Sequence, residues 1–169
     1  EKVYAGIDKN GVYVSDDNGR NWKSINNGLV NHNIKAIAVS EKNVFIANDD
    51  GVFLSQNNDS GWLAVNVGLR PNHRISSLAI SGKNIFAGVD SDGIYLSANN
   101  GKSWNAINKG MPTRSSVGSF AINGNYCFAG TKENGVFLST DYGNSWKEIN
   151  NGLANTSIKS LAISGTKIF

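Results

Sequence analysis

Four tryptophans, Trp22, Trp62, Trp104 and Trp146, are spaced by 40, 42 and 42 residues, and the sequence around each is a copy of the sequence around the others. An apolar-aromatic triplet and a serine precede each one: Val12-Tyr13-Val14-Ser15, Val52-Phe53-Leu54-Ser55, Ile94-Tyr95-Leu96-Ser97 and Val136-Phe137-Leu138-Ser139. A glycine and a large apolar residue follow, at Gly28-Leu29, Gly68-Leu69, Gly110-Met111 and Gly152-Leu153. An alternating apolar run comes next (residues 34–40, 75–81, 117–123 and 158–164), then an aromatic-small segment such as Phe86-Ala87-Gly88. A period of about 41 residues held in register four times restricts the chain to a repeat architecture, in which each unit is one supersecondary element.

Each unit reads as strands. β-Branched and aromatic residues dominate runs of four to seven, Gly/Asn/Asp turns separate them, and no window shows helical spacing. Four short strands per unit form a small antiparallel sheet that cannot bury both of its faces alone, so the units must stack. The expected fold class is all-β: a β-propeller of four-stranded antiparallel blades, with the runs at Ile34, Ile75, Val117 and Ile158 innermost and the Trp-led strand outermost. The repeat units run approximately 4–44, 45–85, 86–127 and 128–168. The apolar half-strands at both ends fit part of a ring of roughly six to eight blades. A four-bladed ring, or two chains making eight blades, fits them too.

Composition supports a packed domain and narrows the partners. Hydrophobic residues make up 40% and charged residues 17% of the chain, too apolar for a disordered one. The net charge is +3, but Lys and Arg are scattered and form no phosphate-tracking stripe, so nucleic acid is not an expected partner. No segment is long and apolar enough for a membrane span. The single cysteine, Cys127, sits among apolar residues and reads as a small core residue.

The turn leading to each tryptophan is the most visible motif: Ser15, Asp17, Gly19 and Trp22; Ser55, Asn57 and Trp62, with Asp59 and Gly61 at the other polar anchors; Ser97, Asn99, Gly101 and Trp104; Ser139, Asp141, Gly143 and Trp146. It resembles the Asp box, or BNR repeat, Ser-x-Asp-x-Gly-x-Ser/Thr-Trp, fully in the fourth unit and with substitutions in the others. Physically, an Asp or Asn here accepts N–H bonds from its own turn, and the glycine supplies a positive φ. Because Asn replaces Asp without loss of the pattern, the turn reads as structural rather than as a carboxylate or metal site. Proteins with such boxes include sialidases, xyloglucan-type endoglucanases, sortilin-like receptors and photosystem II stability and assembly factors. The chain is most similar to the last of these and departs from sialidases. The resemblance to sialidases would require an arginine triad and a Tyr–Glu pair, whereas the arginines are Arg20, Arg70, Arg74 and Arg114, and Arg20 lies inside a box.

Function is expected at the opposite end of the blades, where the loops after the outermost strand and between the second and third strands share one face. His32 and His73 occupy equivalent loops there. Arg74, Arg114, Asp50 and Asp92 complete the candidate binding face. Carboxylates at Asp49/Asp50 and Asp90/Asp92 suit glycosidase chemistry, but Asp and Asn before Gly are also what tight hairpins require. The loops are short, leaving little material for a substrate cleft. The expectation is a non-catalytic scaffold that binds a protein partner or glycan, with no catalytic residues, metal or cofactor. A fragment of an Asp-box glycoside hydrolase is the alternative. Self-association, or closure by the remainder of a propeller, is the other partner expected. The resemblance implies an extracytoplasmic location.

Overall fold

The computed structural model describes residues 2–40, 42–56, 61–72, 74–165 and 167–169. The fold is all-β, without helices among the described residues, and is built of antiparallel sheets that follow one another along the chain. The first sheet holds β1 (Val3–Ile7), β2 (Gly11–Ser15) and β3 (Lys23–Ser24). The second holds β4 (Ala36–Val39), β5 (Asn43–Asn48), β6 (Gly51–Gln56) and β7 (Leu63–Ala64). The third holds β8 (Ile75–Ser81), β9 (Asn84–Val89), β10 (Gly93–Ser97) and β11 (Asn105–Ala106). The fourth holds β12 (Val117–Asn123), β13 (Tyr126–Thr131), β14 (Val136–Ser139) and β15 (Lys147–Glu148). A final hairpin pairs β16 (Ile163–Ser164) with β17 (Lys167–Ile168). In each four-stranded sheet the strands lie side by side in chain order, as in a meander blade.

The apolar runs explain why these sheets stack. The second strand of a blade is buried on both faces, so it must be apolar throughout rather than alternating. In β5, Phe45 and Ala47 point into the core shared with the third sheet, while Val44 and Ile46 point into the core shared with the first. In β9 the same division sends Ile85, Ala87 and Val89 one way and Phe86 the other. In β13, Cys127 and Ala129 face the third sheet, and Phe128 faces the last hairpin. The core is thus a series of layers between blades. Cys127 is fully buried in one of them, and burial pushes its thiol up to about 11, so it stays a protonated packing residue.

Two strand expectations differ in extent. The outermost strand begins one residue after each tryptophan and spans only two residues, because its side chains are exposed on both faces and no further strand among the described residues pairs with its outer edge. The stretch 158–162 forms no strand, and pairing with the last strand begins at Ala162, whose N–H and C=O both bond to Phe169 at 2.9 Å.

Candidate binding face

The box turns sit at one end of the blades and are closed upon themselves. In the fourth unit, Ser139 Oγ donates to Asp141 Oδ1 at 2.7 Å and accepts from the Gly143 N–H at 2.8 Å. Asp141 also accepts from the Ser145 N–H and hydroxyl at 2.9 and 2.6 Å. Hydroxyl and amide donors from Ser145 and Ser139 hold its carboxyl at about 2. In the first unit the donors to Asp17 are the Asn21 N–H and amide and the Ser15 hydroxyl, and that carboxyl is likewise held at about 2. Asn99 fills the same place without a charge, bonded to Ser97 and Ser103. Of the second box, Ser55 and Trp62 are buried, while Asn57 lies outside the described residues. The residue before each box glycine also has a positive φ, at Asn18, Asn100 and Tyr142. A carboxylate already bonded to three or four donors of its own turn has little capacity left to ligate or transfer a proton.

The opposite end carries an arrangement the sequence reading missed. Asn26, Asn66, Asn108 and Asn150 each stand four residues after a tryptophan, and each reaches back to the hairpin between the second and third strands. Their Oδ1 atoms accept from the N–H of Val12, Val52, Ile94 and Val136, all at 2.7 Å. Their amides donate to the carbonyls of Asn10, Asp50, Asp92 and Asn134. The clip also explains the hairpin glycine. At Gly93 (φ 79) an added Cβ would lie 2.3 Å from Asn108 Oδ1, so the amide occupies the space a side chain would need. The signal was present as a repeated Asn at fixed spacing; its partner 14 residues upstream was not.

These clips fix the loops that line three open clefts in a row. The first, about 480 Å³, is lined by Lys9, His32, Asn33 and Asp50 among others. The second, about 530 Å³, is walled by Asp49, Asp50, Leu69, Arg70 and Pro71. The third, about 490 Å³, is walled by Arg70, Asp92, Met111, Pro112 and Arg114. Asp50 is common to the first and second clefts, and Arg70 to the second and third. The row thus gathers His32, Asp50, Asp92 and Arg114. His73 lies outside the described residues. Arg74 lines none of the three; its Nε stands 3.5 Å from Asp49 Oδ1, and Asn33 donates to Asp49 Oδ2 at 2.8 Å. The backbone oxygens of His32, Ser115 and Thr156 accept equivalent bonds from Gly11, Gly93 and Gly135, so the three loops are superposable at that atom.

Three acidic residues of this face, Asp49, Asp90 and Asp92, are engaged. Asp92 accepts from the Tyr95 hydroxyl at 2.6 Å and pairs with Arg70 at 3.1 Å. Burial, reinforced by Asp92, pushes Tyr95 up to about 12, which keeps it a donor. Asp90 pairs with Lys132 of the next blade at 2.6 Å. Among the described residues no cluster of three His, Cys, Asp or Glu could hold a metal ion.

The sequence model of the DUF6242 β-propeller domain matches residues 2–122. The chain belongs to that family. Comparison with curated proteins finds no match. Among solved structures, this DUF6242 propeller is similar to an ancestral GH74 enzyme at 28% identity and a TM-score of 0.74, over 88% of its own length and 22% of the enzyme's. It is similar to the extracellular domain of the hybrid two-component system BT4673 from B. thetaiotaomicron at 16% identity and 0.74, covering 95% of this chain and 23% of that one. A third structure, YCF48 bound to D1 peptide, matches at 11% identity and 0.71, covering 95% and 53%. The latter two show the fold alone. The chain spans about a fifth of the first of these structures and about half of the last.

Proposed function

We propose that this DUF6242 propeller is a non-catalytic binding module, made of the four repeat units, which engages a protein partner or glycan through the loop face holding His32, Asp50, Asp92 and Arg114. The observation that carries this reading is the engagement of the carboxylates around Asp50, which leaves that residue without a free acidic partner beside it. Asp49, Asp90 and Asp92 are each tied to a cation, and the box carboxylates are consumed within their own turns. An acid/base pair needs one carboxylate free to hold a proton and another aimed at the reacting carbon or water. The short, clipped loops favour a preformed surface instead, which lowers the ordering cost of binding. YCF48, a similar fold, is bound to a peptide, and BT4673, another, is an extracellular domain. The first supports a binding role and the second an extracytoplasmic setting here.

The second reading, a fragment of an Asp-box glycoside hydrolase, draws on the likeness to the GH74 enzyme. Incubation with a chromogenic glycoside panel and xyloglucan oligosaccharides, beside glycan and peptide arrays, separates the two. The binding reading expects capture on an array with no turnover. Turnover abolished by Asp50→Asn or Asp92→Asn would overturn it.

A further inference from the structure

The row of clefts has a chemistry that selects among ligands. Its apolar lining is aliphatic, from Leu69, Pro71, Met111 and Pro112, and no Trp, Tyr or Phe is among its described lining residues. A flat aromatic face, on which a sugar ring would stack, is thus missing from the described lining. Aliphatic pockets separated by charged walls, acidic at Asp50 between the first two clefts and basic at Arg70 between the last two, instead resemble side-chain subsites. Arg70, on the shared wall, is held in place from behind by Asp92, itself fixed by the buried Tyr95 hydroxyl, and its guanidinium remains largely exposed. With five donors in a planar fork, it can hold Asp92 on one edge and a second carboxylate on another. Arg114 makes no ion pair among the described residues. Its backbone is also informative. This crossover takes a left-handed residue, Asn72 (φ 64) in one blade and Arg114 (φ 63) in the next. Asn adopts that conformation readily and Arg does not. Arg114 thus stands where the preceding blade has Asn72, and it lines the third cleft.

We propose that the row is a groove for an extended peptide segment carrying acidic side chains, with Arg70 and Arg114 receiving its carboxylates. This rests on the reading of the domain as a non-catalytic binding module. Stacked sheets lie about 10 Å apart, so three clefts span about 20 Å, or roughly seven residues of extended chain.

The test uses fluorescein-labelled peptides of about nine residues, long enough for that span, with two Glu at varied spacing in an Ala/Gly host. Matched Gln and Lys peptides, polygalacturonate and xyloglucan oligosaccharides are measured in parallel by anisotropy. Glu peptides are expected to bind roughly tenfold more tightly than Gln peptides, and roughly tenfold more weakly to Arg70→Ala and Arg114→Ala, since each charge-assisted pair is worth at least that factor. Binding should weaken with salt. Tyr95→Phe should weaken it a few-fold by releasing Asp92 and hence Arg70, and circular dichroism on each variant confirms the fold. Equal affinity for Glu and Gln peptides, or arginine variants that bind as wild type, would overturn the proposal. Capture of polygalacturonate without any peptide would overturn the peptide assignment and leave the binding module standing. Turnover of either glycan would instead overturn the module reading itself.

Discussion

Trp22 and the three tryptophans that follow it occupy the same place in the repeat but have different surroundings. Trp62, Trp104 and Trp146 are 4%, 2% and 4% exposed, while Trp22 is 44% exposed. Each buried indole N–H donates to a carbonyl of the preceding blade: Trp62 to Ile25 at 2.5 Å, Trp104 to Val65 at 2.7 Å, and Trp146 to Ile107 at 2.8 Å. Each backbone N–H donates to a second carbonyl two residues further on, at Asn27, Val67 and Lys109. The Trp22 indole instead reaches only Gly19 of its own turn, at 3.1 Å. The tryptophan is therefore a lock between blades, and its own box merely aims it. Gly110 lies so close to Trp146 that an added Cβ would be 2.1 Å from its carbonyl oxygen, whereas Gly152 faces nothing within 4 Å.

This contrast can be broken at several points. Trp104→Ala should cost about 3–5 kcal/mol in chemical denaturation, as expected for an aromatic removed from a core. Trp22→Ala should cost markedly less, because its indole is half-exposed and bonds within its own turn. Next in size, Gly110→Ala forces a clash as well as a left-handed Ala and should cost roughly 3 kcal/mol, against about 1 kcal/mol for Gly152→Ala, where only the φ penalty operates. The two variants measured side by side separate packing from backbone strain.

Features closed within a blade should not show the contrast. Asn26→Ala and Asn108→Ala each strand a hairpin N–H, and both should lose about 1–3 kcal/mol despite lying in different blades. A large difference between them would mean that the first blade is loosened as a whole. The smallest expected effect is acid sensitivity. Asp17 and Asp141 are both held at about 2 in the fold by donors of their own turns, below the ordinary 3.8. Their contribution is fully present above pH 4 and is lost as pH falls through about 2. Thermal melts from pH 5 to pH 2 should therefore flatten equally in Asp17→Asn and Asp141→Asn, with Asn99 the natural precedent for the uncharged box.

The repeat, its strands and the burial of Cys127 were legible because each rests on local alternation and period. The lock was legible only in part. A tryptophan in a box suggests packing on its blade, but the acceptors lie 37 to 39 residues upstream, and nothing local names them. The same limit hid the Asn clip and the place of Arg70 on a wall shared by two clefts, although the more visible Arg74 of the same loop was a candidate and turned out to line neither. The outer strands, expected to begin at each tryptophan, start one residue later and end after two exposed residues.

The central claim, that the box tryptophan works across the blade boundary, is tested most directly by removing its N–H alone. Equilibrium unfolding of Trp104→Phe and Trp22→Phe under one set of conditions compares an indole whose carbonyl partner is in another blade with one whose partner is its own turn. The account predicts a loss of about 1–3 kcal/mol for Trp104→Phe, from the stranded Val65 carbonyl and the smaller ring, and a change within about 0.5 kcal/mol for Trp22→Phe. Equal losses at the two positions would contradict it, because the tryptophan would then be serving its own turn.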